Sequence, residues 1–151
     1  MKKILVFAGI IVFVVVAFFV TKTLYVRYQS EKYAKTAVPY IEKAVPAISK
    51  WDPEIIKTYM APEAMKKFSD EKIVRIVDYL SRLGALEDLE TPEFSSVSYI
   101  PLANQAEKKL VYYTVPARYQ KGEATFNVYL VEAGGAFKIY NFSINSVALG
   151  Q

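Results

Sequence analysis

The sequence predicts an α+β fold in which an N-terminal transmembrane helix precedes a helical segment and then an antiparallel meander, the curved sheet and its covering helices enclosing a cone. Three observations carry this. Ile4 to Val20 is a run of seventeen uncharged residues interrupted only by Gly9. Between Val38 and Leu83 the apolar residues recur at spacings of three and four, the period of a helix with one buried side. From Phe94 onward the period drops to two, as in strands with one face buried.

The first run is read as an anchor over residues 1–28, with Ile4, Phe7, Ile10, Phe13, Phe18 and Val20 among its apolar side chains. At 1.5 Å per residue it covers roughly 26 Å, and including Thr21 to Val26 crosses a ~30 Å hydrocarbon core. Lys2 and Lys3 before an apolar run also open secretory signal peptides, but Phe18-Phe19-Val20-Thr21-Lys22 offers no small residues at cleavage spacing. The expectation is an uncleaved signal anchor, single-pass in the inner (cytoplasmic) membrane. Lys2 and Lys3 outweigh Lys22 and Arg27 as orienting charges, which places the amino end inside and residues 29–151 in the periplasm. Tyr25, Tyr28 and Tyr33 then fall at the interface as an aromatic belt.

Beyond the anchor, roughly 120 residues suffice for one domain with a single core. Residues 29–50 read as helix, with Val38, Ile41, Val45 and Ile48 on one face. The near-repeat AVPYIEK and AVPAISK inserts Pro39 and Pro46, which predict a kink or break. Asp52-Pro53-Glu54 is a helix start: a capping carboxylate, a proline whose missing N–H costs nothing there, and an acid near the positive helix end. Pro62-Glu63 opens a further short turn. Ser69 caps a helix bearing Ile73, Ile76, Val77, Leu80 and Leu83, and Gly84 is placed to end it in the left-handed conformation.

Four strands follow. Val97 and Tyr99 alternate with serines in the first. In the second, Val111, Tyr113, Val115, Ala117 and Tyr119 share a face, and Pro116 suggests an edge position or bulge. Lys121-Gly122-Glu123 turns into a third strand with Phe126, Val128 and Leu130 on one face. Gly134-Gly135 turns into a fourth, whose inward residues change from Phe137 and Ile139 to Phe142 and Ile144, which predicts a bulge near Tyr140-Asn141. The expected core includes Ile76, Leu80, Val111, Val115, Phe126, Val128 and Ile139.

This order resembles the nuclear transport factor two-like (cystatin-like) superfamily. WDPEIIKTYMAPEAMKKFS looks like that family's second and third helices, and VYLVEAGGAFKIYNFSI like its closing hairpin, with Phe137 where the family often has Trp. The resemblance spans about residues 30–146 and implies a fold, leaving function to the site.

Composition removes several functions. The formal charge of +4 is accounted for by Lys2, Lys3, Lys22 and Arg27, and from Tyr28 onward fifteen basic residues balance fifteen acidic ones. No basic stripe remains for a nucleic acid. The chain has no Cys and no His, which removes thiol nucleophiles, His bases and Cys- or His-ligated metals. Enzymes of the resembling fold, such as ketosteroid isomerase and scytalone dehydratase, place Asp or His bases and Tyr acids inside the cone. Here Glu107, Glu123 and Glu132 sit at strand ends, and the tyrosines lack a visible base, so the chain is not expected to be an enzyme.

Glu87, Asp88, Glu90 and Glu93 lack the glycine-containing loop of a calcium site and read as a solvated connection. The Asn141-Phe142-Ser143 sequon lies within a strand and reads as chance. No cofactor and no metal is expected.

Two binding readings remain. In the first, the domain is a scaffold contacting other envelope proteins or itself, similar to the type IV secretion inner-membrane scaffold proteins that join one anchor to this fold. In the second, the cone takes lipid, since KIYNFSINSVALG resembles the end of the toluene-tolerance phospholipid shuttles. Tyr113, Tyr119, Tyr129, Phe137 and Phe142 are the candidate partner or ligand contacts. The scaffold reading expects Tyr113, Phe126, Phe137 and Phe142 to fill the cone, leaving no cavity near the ~300 Å³ at which ligand pockets begin.

Overall fold

The computed structural model describes residues 2–102 and 105–150. The side chains of 2–8, 102, 105 and 106 lie outside the described residues, and with them those of the anchor residues Ile4 and Phe7. The chain divides into two compact units, Met1–Tyr33 and Ala34–Gln151.

The first unit is a single helix, α1 (Lys2–Ala34). Its stretch Gly9–Ala34 has 26 residues, the most apolar part of which averages a hydropathy of 2.3, and is long and apolar enough to cross a membrane. Ile10, Phe13, Phe18 and Val20 are exposed, from 52% to 73%, as a bilayer-facing surface requires. The Thr21 and Thr23 hydroxyls donate back to the carbonyls of Ala17 and Phe19 at 2.8 and 2.9 Å, so neither polar group needs water. Residues 29–34, expected to open the second domain, continue this helix.

The second unit begins with α2 (Ala37–Ile48). The helical interruption falls at Lys35-Thr36, ahead of both prolines. Pro39 lies in the first turn of α2, where a backbone N–H has no helical partner. Pro46 lies within the helix, and the bond it removes is to the carbonyl of Glu42, an exposed residue that water reaches. Neither proline ends the helix, which buries Ile41, Ala44, Val45 and Ile48.

Next come α3 (Pro53–Tyr59), α4 (Pro62–Met65) and α5 (Asp70–Ser81). Asp52 caps α3 by accepting from the Glu54 N–H at 2.8 Å, and Ser69 caps α5 by accepting from Lys72 at 3.3 Å. Ile73, Val77, Leu80 and, past the helix end, Leu83 are buried. Ile76 departs from expectation: it is half-buried, facing a crevice between helices and sheet. Gly84 turns the chain with φ 79°, as its position predicts.

The sheet has five strands: β1 (Leu86–Leu89), β2 (Glu93–Leu102), β3 (Gln105–Tyr119), β4 (Gly122–Ala133) and β5 (Ala136–Asn145), all paired antiparallel. A 3-10 turn, Val147–Leu149, follows. β1 and β2 both pair with β3 along the edge opposite β4, so the four expected strands are present as β2 to β5, and β1, which was not expected, precedes them on the same side of β3 across the gap Glu90-Thr91-Pro92.

The acidic connection thus includes a strand. Glu87 and Asp88 are exposed on β1 and lie 3.7 and 3.5 Å from Arg118. Pro116 sits in the central strand rather than at an edge. Its carbonyl accepts from the Glu90 N–H at 3.0 Å, within the gap between β1 and β2, where its missing donor breaks no ladder bond. The bulge on β5 falls as expected: Tyr129 pairs with Asn141 and Leu130 with Ile139, which leaves Tyr140 as the extra residue.

Register sorts the side chains onto two faces. Val111, Tyr113 and Val115 lie opposite Leu130, Val128 and Phe126, which lie in turn opposite Ile139, Phe142 and Ile144. This inner face is covered by the helices. Tyr40 of α2 meets Phe137 at 6.3 Å between ring centroids, and Ser49, capping α2, reaches Tyr119. Apart from Ile76 every expected core residue is buried, with Phe126, Val115 and Ile139 at 0% exposure.

Candidate interaction surfaces

Four of the five candidate contacts lie on the inner face, and each is engaged by the chain itself. Tyr119 is 1% exposed, and its hydroxyl is 2.8 Å from that of Ser49. Burial pushes the Tyr119 phenol above its usual range, and the Ser49 hydrogen bond partly offsets that. Tyr113 packs edge to face against Phe94, with centroids 5.7 Å apart. Phe137 is 8% exposed beside Tyr40. Phe142 is half-buried and stacks on Phe126 at 5.3 Å with planes 7° apart. These rings tile a core and do not converge on one cavity.

Tyr129 is separate. It lies on the outer face, stacked on Tyr112 at 4.5 Å, and the Tyr112 hydroxyl donates to Asn127 Oδ1 at 2.8 Å. Strand parity already sets it apart, since Phe126, Val128 and Leu130 of the same strand face inward.

The remaining space is distributed over the surface. A crevice of about 150 Å³ lies between the helices and β5, lined by Ile56, Met60, Met65, Phe68, Ile76 and Phe142 among others. Its walls are apolar, with Lys67 and Lys72 close by: Lys67 donates to the Tyr140 hydroxyl at 2.6 Å, and the Lys72 ammonium stands 5.0 Å from the Phe68 ring centroid. A wider open groove of about 740 Å³ runs beside the closing 3-10 turn, between Tyr79, Glu90, Arg118, Glu123 and Val147. Its one guanidinium is already engaged by Glu87 and Asp88.

Glu107, Glu123 and Glu132 are exposed, near the ends of β3 and β4. Among the described residues no group of three or more Asp, Glu, His or Cys side chains is placed to hold a metal ion. Neither a protein-family model nor a curated protein matches this chain.

The sheet edges complete the inventory, and sequence reasoning passed over them. The outer edge of β5 is partly closed: Met60 bridges to Ile139 in parallel, and the Ala61 N–H donates to the Ile139 carbonyl at 2.8 Å. β1 is short and carries two outward acids. β2 is ten residues long and, among the described residues, pairs with β3 alone. Its serines and tyrosine carry no motif, so the only available signal was the absence of charge from Phe94 to Leu102.

Proposed function

We propose that this chain is a membrane-anchored, non-catalytic interaction module, a scaffold subunit of a bacterial envelope complex. α1 holds it in the inner membrane with its amino end cytoplasmic, and the α+β unit works on the periplasmic side. The orientation is supported by Lys2 and Lys3 before the span. The observation that carries the reading is the filled inner face. Tyr113, Val115, Phe126, Val128, Leu130 and Ile139 are each at most 1% exposed, and the adjoining crevice, about 150 Å³, is half the size at which ligand pockets begin, ~300 Å³. Surfaces therefore remain as the working parts, and the polar outer face and the open edge of β2 suit protein contact.

A second reading follows from the crevice itself. Its apolar lining, with Lys67 and Lys72 close by, suits the end of an acyl chain below an anionic head group. Photocrosslinking of the full-length protein in its native membrane separates the two. The scaffold reading expects protein adducts on the α+β unit and labelling by a photoactivatable phospholipid confined to α1. Lipid labelling of peptides containing Met65 or Phe142 at the level of α1, without protein adducts, would overturn it in favour of lipid binding.

A further inference from the structure

An open strand edge is a row of unpaired donors and acceptors, which folded proteins cover, shorten or charge. The edges of β5 and β1 are managed in these ways, whereas β2 carries bulges and a proline only toward its two ends, and its centre has no such device. From Phe94 to Pro101 it carries no charged side chain, and Ser95, Ser96, Ser98 and Tyr99 are exposed, Tyr99 at 56%. Bulges near Ser95 and Pro101 bound a regular central segment, Ser96 to Ile100, paired residue for residue with β3.

We propose that this edge pairs antiparallel with the β2 edge of a second copy of the chain, about a two-fold axis at Ser98, joining two sheets into one. The inference deepens the interaction-module reading by naming both surface and partner.

The segment is self-complementary in that register. Ser98 meets Ser98 of the second copy. Val97 and Tyr99 share the inner-face side of β2, and the two-fold sets Val97 of each copy opposite Tyr99 of the other, a favourable pairing of β-branched and aromatic side chains. Ser96 falls opposite Ile100 on the outer side. No like charges meet in the centre, since no charged side chain lies between Phe94 and Pro101.

The ladder is short, so the contact is weak between freely diffusing molecules. An anchor that holds every copy in one plane with one orientation raises the local concentration and permits a two-fold axis along the membrane normal.

The chain has no native cysteine, so a single introduced thiol reports one position. Directly opposed residues of antiparallel strands have Cα atoms about 4.5 to 5.5 Å apart, within disulfide range. In membranes holding the full chain, mild oxidation of Ser98→Cys is expected to give a reducible dimer as the main species. Ser143→Cys, exposed on β5, is expected to stay monomeric, and adding Tyr99→Lys to Ser98→Cys to cut the dimer at least about five-fold. Dimer from Ser98→Cys no greater than from Ser143→Cys overturns the proposal. Amine crosslinking of the unaltered protein in the same membranes then locates the failure. Protein adducts without the Ser98 disulfide reject this edge and leave the interaction module standing, whereas no adducts at all reject both.

Discussion

The Trp51 indole nitrogen donates to the Gly84 carbonyl at 2.8 Å, joining two residues that are both left-handed, with φ of 59° and 79°. Trp51 is the one described non-glycine residue with positive φ, an uncommon conformation for so bulky a side chain. Its ring also packs on Tyr119 at 5.6 Å, so the corner after α2, the corner after α5 and the end of β3 are held as one knot. A Cβ at Gly84 would lie 2.6 Å from Gln120 Oε1 and 2.9 Å from Gln120 Cβ. Gly84→Ala therefore combines left-handed strain with a clash and is expected to cost about 2 to 3 kcal/mol. Gly134→Ala, at φ 62° with nothing within 4 Å of the new Cβ, bears strain alone and should cost less. Urea titration of the two variants in one detergent checks the order, and equal losses would show that Gln120 yields freely.

Leu80 is 6% exposed under the sheet, whereas Ile76, one turn earlier, lines the open crevice. Leu80→Ala leaves a cavity the packed rings cannot refill and should cost about 2 to 5 kcal/mol. Ile76→Ala widens a space that already meets solvent and is expected to cost about 1 kcal/mol. A Leu80→Ala variant as stable as the parent would refute the packing of α5 on the sheet.

How legible was this in the sequence? The caps at Asp52 and Ser69, the alternation from Val111 to Tyr119 and the bulge at Tyr140 were readable because each rests on local geometry that the residue types dictate. The interruption at Lys35-Thr36 was not, because Lys and Thr break no helix, while the two prolines nearby drew attention to positions the helix tolerates. β1 was hidden for another reason. Its two outward residues are acids, and its pairing depends on β3, more than twenty residues later. Pro116 was misplaced because what spares it is a gap in a neighbouring strand. The candidate rings were found, but whether a ring fills a core or lines a pocket depends on what packs over it, and that is decided by α2 and β2. The left-handed Trp51 left no sequence signal at all.

Tyr40 gives the domain a pH dependence of known sign. Its hydroxyl donates to the Tyr59 carbonyl at 3.2 Å, and its ring lies between those of Tyr59 and Phe137, at 6.1 and 6.3 Å. Burial foremost, then the neighbouring Tyr59, pushes its pKa up to about 12, against about 10 for an unfolded tyrosine. A phenol with a raised folded pKa binds its proton more tightly in the folded chain. Its contribution is complete below pH 10 and is lost as pH rises from about 10 through about 12, because only the unfolded chain gains by ionising first. The loss attributable to Tyr40 is up to about 2 kcal/mol, after allowance for the part of the ring that water reaches. Tyr40→Phe cannot ionise, so its stability should fall less steeply across that window, while Tyr119, also raised, keeps some slope in both proteins. Urea midpoints at pH 9, 10, 11 and 12 measure the difference, with lysine titration common to both. Parallel curves would show that Tyr40 ionises alike in the folded and unfolded chains, and that α2 does not seal it against Phe137.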